Sequence, residues 1–121
     1  MKTMLIVDDS EFMRSFIKKY VSELDIDVIA EAEDGATGYE KYVEFMPDFV
    51  TMDLAMYDEN GLDVLKKIMA KNPNAKVIII SSIAGQEMIA KNAIALGAKG
   101  IIDKSKMQIK IKEVIGKLME E

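Results

Sequence analysis

Short apolar runs alternate with stretches of helical period about five times along this chain of 121 residues. Met4-Leu5-Ile6-Val7, Phe49-Val50-Thr51-Met52 and Val77-Ile78-Ile79-Ile80 are apolar at nearly every position. Such runs suit strands covered on both faces, because a strand with one wet face would alternate. Strands separated by helices argue for a parallel sheet. The pattern predicts strands over about residues 3–7, 27–32, the run ending at Asp53, 76–81 and about 100–103. Helix one carries Phe12, Phe16, Tyr20 and Leu24 as its buried stripe, and Asp34-Gly35 turns into helix two. Gly61 opens helix three, with Leu62, Leu65, Ile68 and Met69 inward. Asn72-Pro73-Asn74 is a turn. Helix four covers about residues 86–96 and stops at Gly97. Helix five carries Ile111, Val114, Ile115 and Leu118 inward, and Ser105-Lys106-Met107-Gln108 has the form of a capping box at its start. Right-handed crossovers then give an α/β fold with a doubly wound, five-stranded parallel sheet. Strand order 2-1-3-4-5 makes it a flavodoxin-like three-layer sandwich with its switch point between strands one and three.

Length fits one domain over residues 1–121, with no separate output domain expected. Cysteine and histidine are both absent. That removes disulfides, thiolate metal sites, cysteine nucleophiles, serine-histidine triads and phosphohistidine on this chain. The opening apolar run is too short for a signal peptide, and no stretch is long enough to span a bilayer, so a cytoplasmic protein without membrane insertion is expected. The net charge of -5 hides an asymmetry: residues 8–63 hold 16 acidic and 4 basic side chains, residues 64–121 hold 5 and 11. The acidic balance speaks against nucleic acid as a partner. Most of the later lysines read as solvated helix faces.

The strand ends carry the candidate chemistry. Asp8 and Asp9 follow the first strand, Asp53 ends the third, Ser81-Ser82 end the fourth, and Lys104 follows the fifth. Parallel strands bring all of them to one sheet edge, where ligands bind in open α/β sheets. Clustered carboxylates repel one another and call for a cation. Mg2+, with Mn2+ as the alternative, takes one or two carboxylates and leaves positions for water or phosphate oxygens. Asp53 beside it could act as nucleophile and form an aspartyl phosphate. Lys104 could pair with a phosphate oxygen as a point charge, and Ser82 could donate to another. Singly, each residue has a plainer reading: Asp9 or Ser10 as a helix cap, Asp53 and the serines as turn residues, Lys104 as a solvated lysine. Their joint placement after four strands favours the chemical reading.

These residues resemble the receiver domain of two-component response regulators, in particular the stand-alone CheY-type chemotaxis regulators. The resemblance covers essentially the whole chain. It rests on Asp8-Asp9-Ser10-Glu11-Phe12-Met13-Arg14, on Asp48 through Met56, on Gly61 and Ser82, and on Gly97-Ala98-Lys99-Gly100 leading to Lys104. The spacings agree: 44 residues from Asp9 to Asp53, 8 from Asp53 to Gly61 and 22 from Ser82 to Lys104. The resemblance implies Asp53 as phosphoacceptor, Asp9 as direct metal ligand, Asp8 as a ligand through water, and the backbone carbonyl of Ala55 as a further ligand. Ser82 stands at the switch hydroxyl, while Ser81 belongs to the strand. The implied partners are a histidine kinase or phosphotransfer protein as donor and a protein target on the face of helix four, strand five and helix five, with the chain itself a monomer. It implies a switch that phosphorylates and dephosphorylates itself rather than an enzyme turning over a separate substrate.

Three departures from the family pattern stand out. Ile101 occupies the place of an aromatic switch residue. Ser105 follows Lys104 where proline is usual, which predicts a trans bond and Ser105 as helix cap, since a cis bond without proline costs about 3–4 kcal/mol. Tyr57 replaces proline after Met56, and Ile83 replaces a small residue after the switch hydroxyl. Competing readings are a phosphorelay intermediate or phosphate sink, and a receiver-like scaffold with impaired phosphorylation. An aspartate-dependent phosphohydrolase would want a second Asp at position 55, which is Ala. A flavin-binding protein would want Ser, Thr and Gly where Asp8-Asp9 stand.

Overall fold

The computed structural model describes residues 1–54, 61–82 and 87–121. Five strands and five helices alternate: β1 (Lys2–Val7), α1 (Glu11–Val21), β2 (Ile26–Ala32), α2 (Gly35–Phe45), β3 (Phe49–Asp53), α3 (Gly61–Lys71), β4 (Lys76–Ser81), α4 (Glu87–Leu96), β5 (Gly100–Asp103) and α5 (Met107–Met119). The described pairings are all parallel, in the order β2-β1-β3-β4-β5, as the apolar pattern predicts. Among the described residues, no helix is long and apolar enough to cross a membrane.

Strand alternation divides the core into two layers. Met4, Ile6, Phe49, Ile78, Ile80 and Ile102 face α1 and α5, meeting Ile17, Val21, Ile111 and Ile115. Leu5, Val7, Val50, Met52, Val77 and Ile79 face the other way, meeting Tyr42 of α2, Val64, Leu65 and Ile68 of α3, and Ala93 of α4. Both faces of the central strands are therefore dry, which is why their sequences do not alternate.

Two local expectations are corrected. The stripe of α1 is not Phe12, Phe16, Tyr20 and Leu24: the helix buries Ile17 and Val21, with Met13, Tyr20 and Leu24 partly covered, and leaves Phe12 73% exposed. Positions spaced by four advance about 40° per step around a helix of 3.6 residues per turn, so a strict i+4 series walks off the core. Phe12, Phe16 and Tyr20 instead form a run of tilted ring contacts from the exposed Phe12 to the partly covered Tyr20, with ring centroids 5.7 and 4.9 Å apart. Nor does Ser105 cap α5. Residues Lys104–Lys106 form a 3-10 turn, the side chain of Asp103 accepts the Ser105 N–H at 3.0 Å, and α5 starts after Lys106 with no side-chain cap. That local side-chain bond starts the 3-10 turn over residues 104–106, which leaves Ser105 one residue short of the N-cap position, occupied by Lys106. The Lys104–Ser105 bond is trans, as expected.

Candidate functional site

Asp8 lies one residue beyond β1, and its backbone continues the ladder by donating from N to Ala32 O at 3.0 Å. Its side chain is buried. Oδ1 accepts the Ser10 N–H at 2.9 Å, and Ser10 Oγ in turn accepts the Met13 N–H at 3.1 Å to cap α1. The Ser10 side chain is thus the cap that the residues allowed. Among the described residues, Asp8 Oδ2 is buried without a hydrogen-bond partner. A buried carboxylate oxygen in that condition is costly unless a cation or donor meets it.

Asp53 ends β3 and is only 2% exposed. Asp9 is exposed beside it. One carboxylate oxygen from each of Asp8, Asp9 and Asp53 falls within 4.8 Å of the others. Lys104, just past β5, reaches across with Nζ 3.3 Å from Asp53 Oδ2. The sheet edge has therefore assembled three acids and one ammonium from three loops, as strand order requires. The Asp8 pKa rises from 3.8 to about 6. Burial is the main cause; the Ser10 N–H opposes it, Asp53 adds to it, Lys104 opposes, and Asp9 adds a little.

This donor set fits a small hard cation. The ligands are all oxygen, they converge, and an orphaned buried oxygen lies among the residues that supply them. Gly61 sets the back wall of the site. Its N–H donates to Leu54 O at 3.1 Å, and a Cβ there would lie 2.6 Å from Asp53 O and 2.8 Å from Leu54 Cα. Only glycine lets α3 press this closely on the strand end that carries Asp53.

Ser82 follows β4 at the same edge and is exposed. Ser81 is the last residue of β4 and is buried, with no hydrogen-bond partner for its Oγ among the described residues. It alternates with Ile80, so it points into the layer of Ile79, away from the layer that Asp53 shares with Ile80. Ile101 is partly buried against the α2–α3–α4 layer. Ala55, Tyr57 and Ile83 lie outside the described residues.

Two residues near the cluster were given no role from the sequence, although Arg14 ends the first motif of the resemblance. Arg14 Nη1 donates to the backbone carbonyl of Asp8 at 2.7 Å, and its Nε donates to Glu31 Oε1 at 3.1 Å. Glu31 also accepts Lys18 Nζ at 2.8 Å. The available signal was a carboxylate near the end of a largely apolar strand beside an arginine one turn past a helix cap.

Comparison with known proteins agrees with this geometry. The family model for the response regulator receiver domain matches residues 4–116. The chemotaxis protein CheY of Listeria monocytogenes is 44% identical over 117 residues, covering 97% of this chain and 98% of that protein. CheY of Thermotoga maritima is 41% identical over 117 residues, with 97% of each chain covered. A chain of the CheX-CheY-BeF3-Mg+2 complex from Borrelia burgdorferi superposes with a TM-score of 0.90 at 31% identity, covering 98% of this chain and 89% of that one. The chain belongs to the family of response regulator receiver domains.

Proposed function

We propose that the chain, as one receiver domain over residues 1–121, is a phosphorylation-dependent switch in chemotaxis or motility signalling, with Asp53 as the phosphoacceptor. The observation that carries this reading is the convergence of the Asp8, Asp9 and Asp53 carboxylates with Lys104 Nζ, 3.3 Å from Asp53, at one sheet edge. The Asp53 carboxylate attacks the phosphorus of a phosphohistidine on a kinase or phosphotransfer protein. A P–O bond forms, the P–N bond breaks, and the imidazole leaves with the electron pair. Asp8 and Asp9, with the carbonyl of Ala55, would hold Mg2+ beside Asp53. That ion, when bound, supplies the positive charge that lets an anionic phosphoryl group approach three carboxylates. Lys104 exchanges its contact with Asp53 for a phosphoryl oxygen, and Ser82 donates to another. Burial first, and the neighbouring Asp53 and Asp9 after it, disfavour an ionised Asp8, and a cation bound beside these carboxylates would offset that cost.

The target surface is the face of α4, β5 and α5. Met88 at 71%, Ile94 at 49% and Ile109 at 72% exposure leave apolar area there that a protein partner would cover. Ile101, packed beneath α4, replaces the swinging aromatic ring, so closure depends on Ser82 and the loop after β4. The domain acts as a cytoplasmic monomer and binds no nucleic acid. Intact-mass spectrometry after incubation with acetyl phosphate tests the reading. Wild-type protein gains one phosphoryl group only with Mg2+ present, and Asp53→Asn gains none. No gain in the wild type, or a gain retained by Asp53→Asn, overturns it.

A further inference from the structure

We propose that Arg14 is a positioning residue for the acidic cluster: clamped by Glu31, it fixes the peptide joining Asp8 to Asp9, and so the direction in which both carboxylates present themselves. The inference rests on the receiver reading of the site.

The peptide between Asp8 and Asp9 is planar, so the direction of its carbonyl reports ψ of Asp8, the rotation that sets where Asp9 lies relative to Asp8. The neighbouring bonds are already fixed. Asp8 N donates to Ala32 O at 3.0 Å, and Ser10 N donates to Asp8 Oδ1 at 2.9 Å. What remains is the Asp8 carbonyl, and Arg14 Nη1 holds it at 2.7 Å. If that carbonyl turned about ψ of Asp8 with no compensating turn at φ of Asp9, the Asp9 side chain would swing away from Asp8 and Asp53.

Arg14 can hold a carbonyl in one direction only if its own flat guanidinium is held. Glu31 does this through Nε at 3.1 Å, and the arginine side chain is only 14% exposed. Glu31 reaches α1 because β2 is irregular. Its register on β1 pairs Met4 with Val28 and Leu5 with Ala30, leaving Ile29 as an extra residue. Before the bulge, Ile26 and Val28 face the α1–α5 layer; after it, Ala30 and Ala32 face the opposite layer. The extra residue therefore turns Glu31 toward α1. In a regular strand it would face α2 and could not meet Arg14. A bulge that re-aims one side chain beside a site is a known device, and it is unusual in a parallel pair. Lys18 shares Glu31 at 2.8 Å but makes no described contact with Asp8.

Calorimetric titration with Mg2+ separates this role from a merely structural one, alongside acetyl phosphate kinetics across Mg2+ concentrations. Arg14→Ala should weaken Mg2+ binding about tenfold, the scale on which groups that orient metal ligands act, while its maximal phosphorylation rate at saturating Mg2+ stays near the wild type. Arg14→Lys should recover part of the affinity, because an ammonium reaches either Glu31 or the carbonyl. Glu31→Gln should weaken binding by a smaller factor, and Lys18→Ala should leave it unchanged. Unfolding in EDTA establishes that each variant is folded. A folded Arg14→Ala with wild-type Mg2+ affinity overturns the proposal. Should Arg14→Ala not fold, unchanged affinity in Glu31→Gln overturns it instead. If wild-type protein neither binds Mg2+ nor takes a phosphoryl group, the receiver reading itself falls and takes this one with it.

Discussion

Asp8 and Asp48 stand at opposite edges of the same sheet, and their surroundings differ in kind. Asp48 leads into β3 and ties it to β1: Oδ2 accepts the Thr3 N–H at 2.8 Å and the Thr3 hydroxyl at 3.1 Å, while Asp48 N donates to Thr3 Oγ1 at 3.0 Å. Those donors hold its carboxyl below the ordinary range, the Thr3 N–H most of all, with burial opposing. Asp8 is buried, has one oxygen without a partner, and sits among two further carboxylates. Its pKa moves the other way, to about 6. One edge uses an aspartate to close the fold; the other holds an aspartate that the fold alone leaves unsatisfied. The difference marks the edge whose electrostatics suit a cation.

Asp8→Asn should bring out that contrast most strongly in metal-free protein. Below the unfolded pKa of 3.8, Asp8 is protonated in both states and costs nothing. As pH rises toward about 6, the unfolded chain ionises first, so ionised Asp8 subtracts from stability, and the full cost is present above that range. A rise of about two pKa units corresponds to roughly 3 kcal/mol. Asn still accepts from the Ser10 N–H and adds no charge. In EDTA at pH 7, Asp8→Asn should therefore raise the unfolding free energy by up to about 3 kcal/mol, and by little at pH 4. Saturating Mg2+ should stabilise the wild type but much less the variant, reversing the gap. Urea melts at the two pH values, with and without Mg2+, measure this. Equal stability in EDTA at pH 7 would break the comparison.

Gly61→Ala tests how tightly the site edge is built. The added methyl would meet backbone, Asp53 O at 2.6 Å and Leu54 Cα at 2.8 Å, and backbone cannot rotate away as a side chain can. Overpacking of this kind costs about 1–3 kcal/mol. The strand end carrying Asp53 should move with it, so the acetyl phosphate reaction should slow even in the folded fraction. Gly116→Ala, where a Cβ meets nothing within 4 Å, is the control and should be neutral or slightly stabilising.

The sequence made the sheet and its reactive edge legible for the same reason. Runs such as Val77 to Ile80 are apolar throughout, which marks central parallel strands, and the first polar residue after each run must lie at the carboxyl edge. Asp53 and Lys104 could thus be brought together from strand order before any contact was known. Side-chain facing was harder to read. In α1, the bulk of Phe12 and Phe16 drew the stripe away from Ile17 and Val21, and the i+4 drift of that series became visible only against the sheet. Glu31 was hidden more deeply, because its facing depends on the extra residue Ile29, which no local composition betrays. The cap at Asp103 was missed since the 3-10 turn consumed the residues assigned to the capping box.

Asp48→Asn should have the smallest effect and the opposite pH sign to Asp8→Asn. A lowered carboxyl pKa means that ionised Asp48 adds stability above the unfolded pKa of 3.8, and that this contribution is lost as pH falls through the folded value. The carboxylate is exposed, so solvent screens it, and the tie to Thr3 is worth about 1 kcal/mol, on the scale of a hydrogen bond to a charged group at a surface. Asn keeps an acceptor for the Thr3 N–H but loses the charge that strengthens it. At pH 7 the variant should be less stable by about that amount, and the difference should shrink as pH falls below 3.8, measured at pH 3. Mg2+ affinity and phosphorylation should be untouched, because the edge that Asp48 closes lies at the far end of β3 from Asp53. Urea melts at both pH values, with a Mg2+ titration beside them, read all three. A loss of Mg2+ affinity in Asp48→Asn would mean that the two edges are coupled through β3, and that the aspartate closing the fold also tunes the aspartates awaiting a cation.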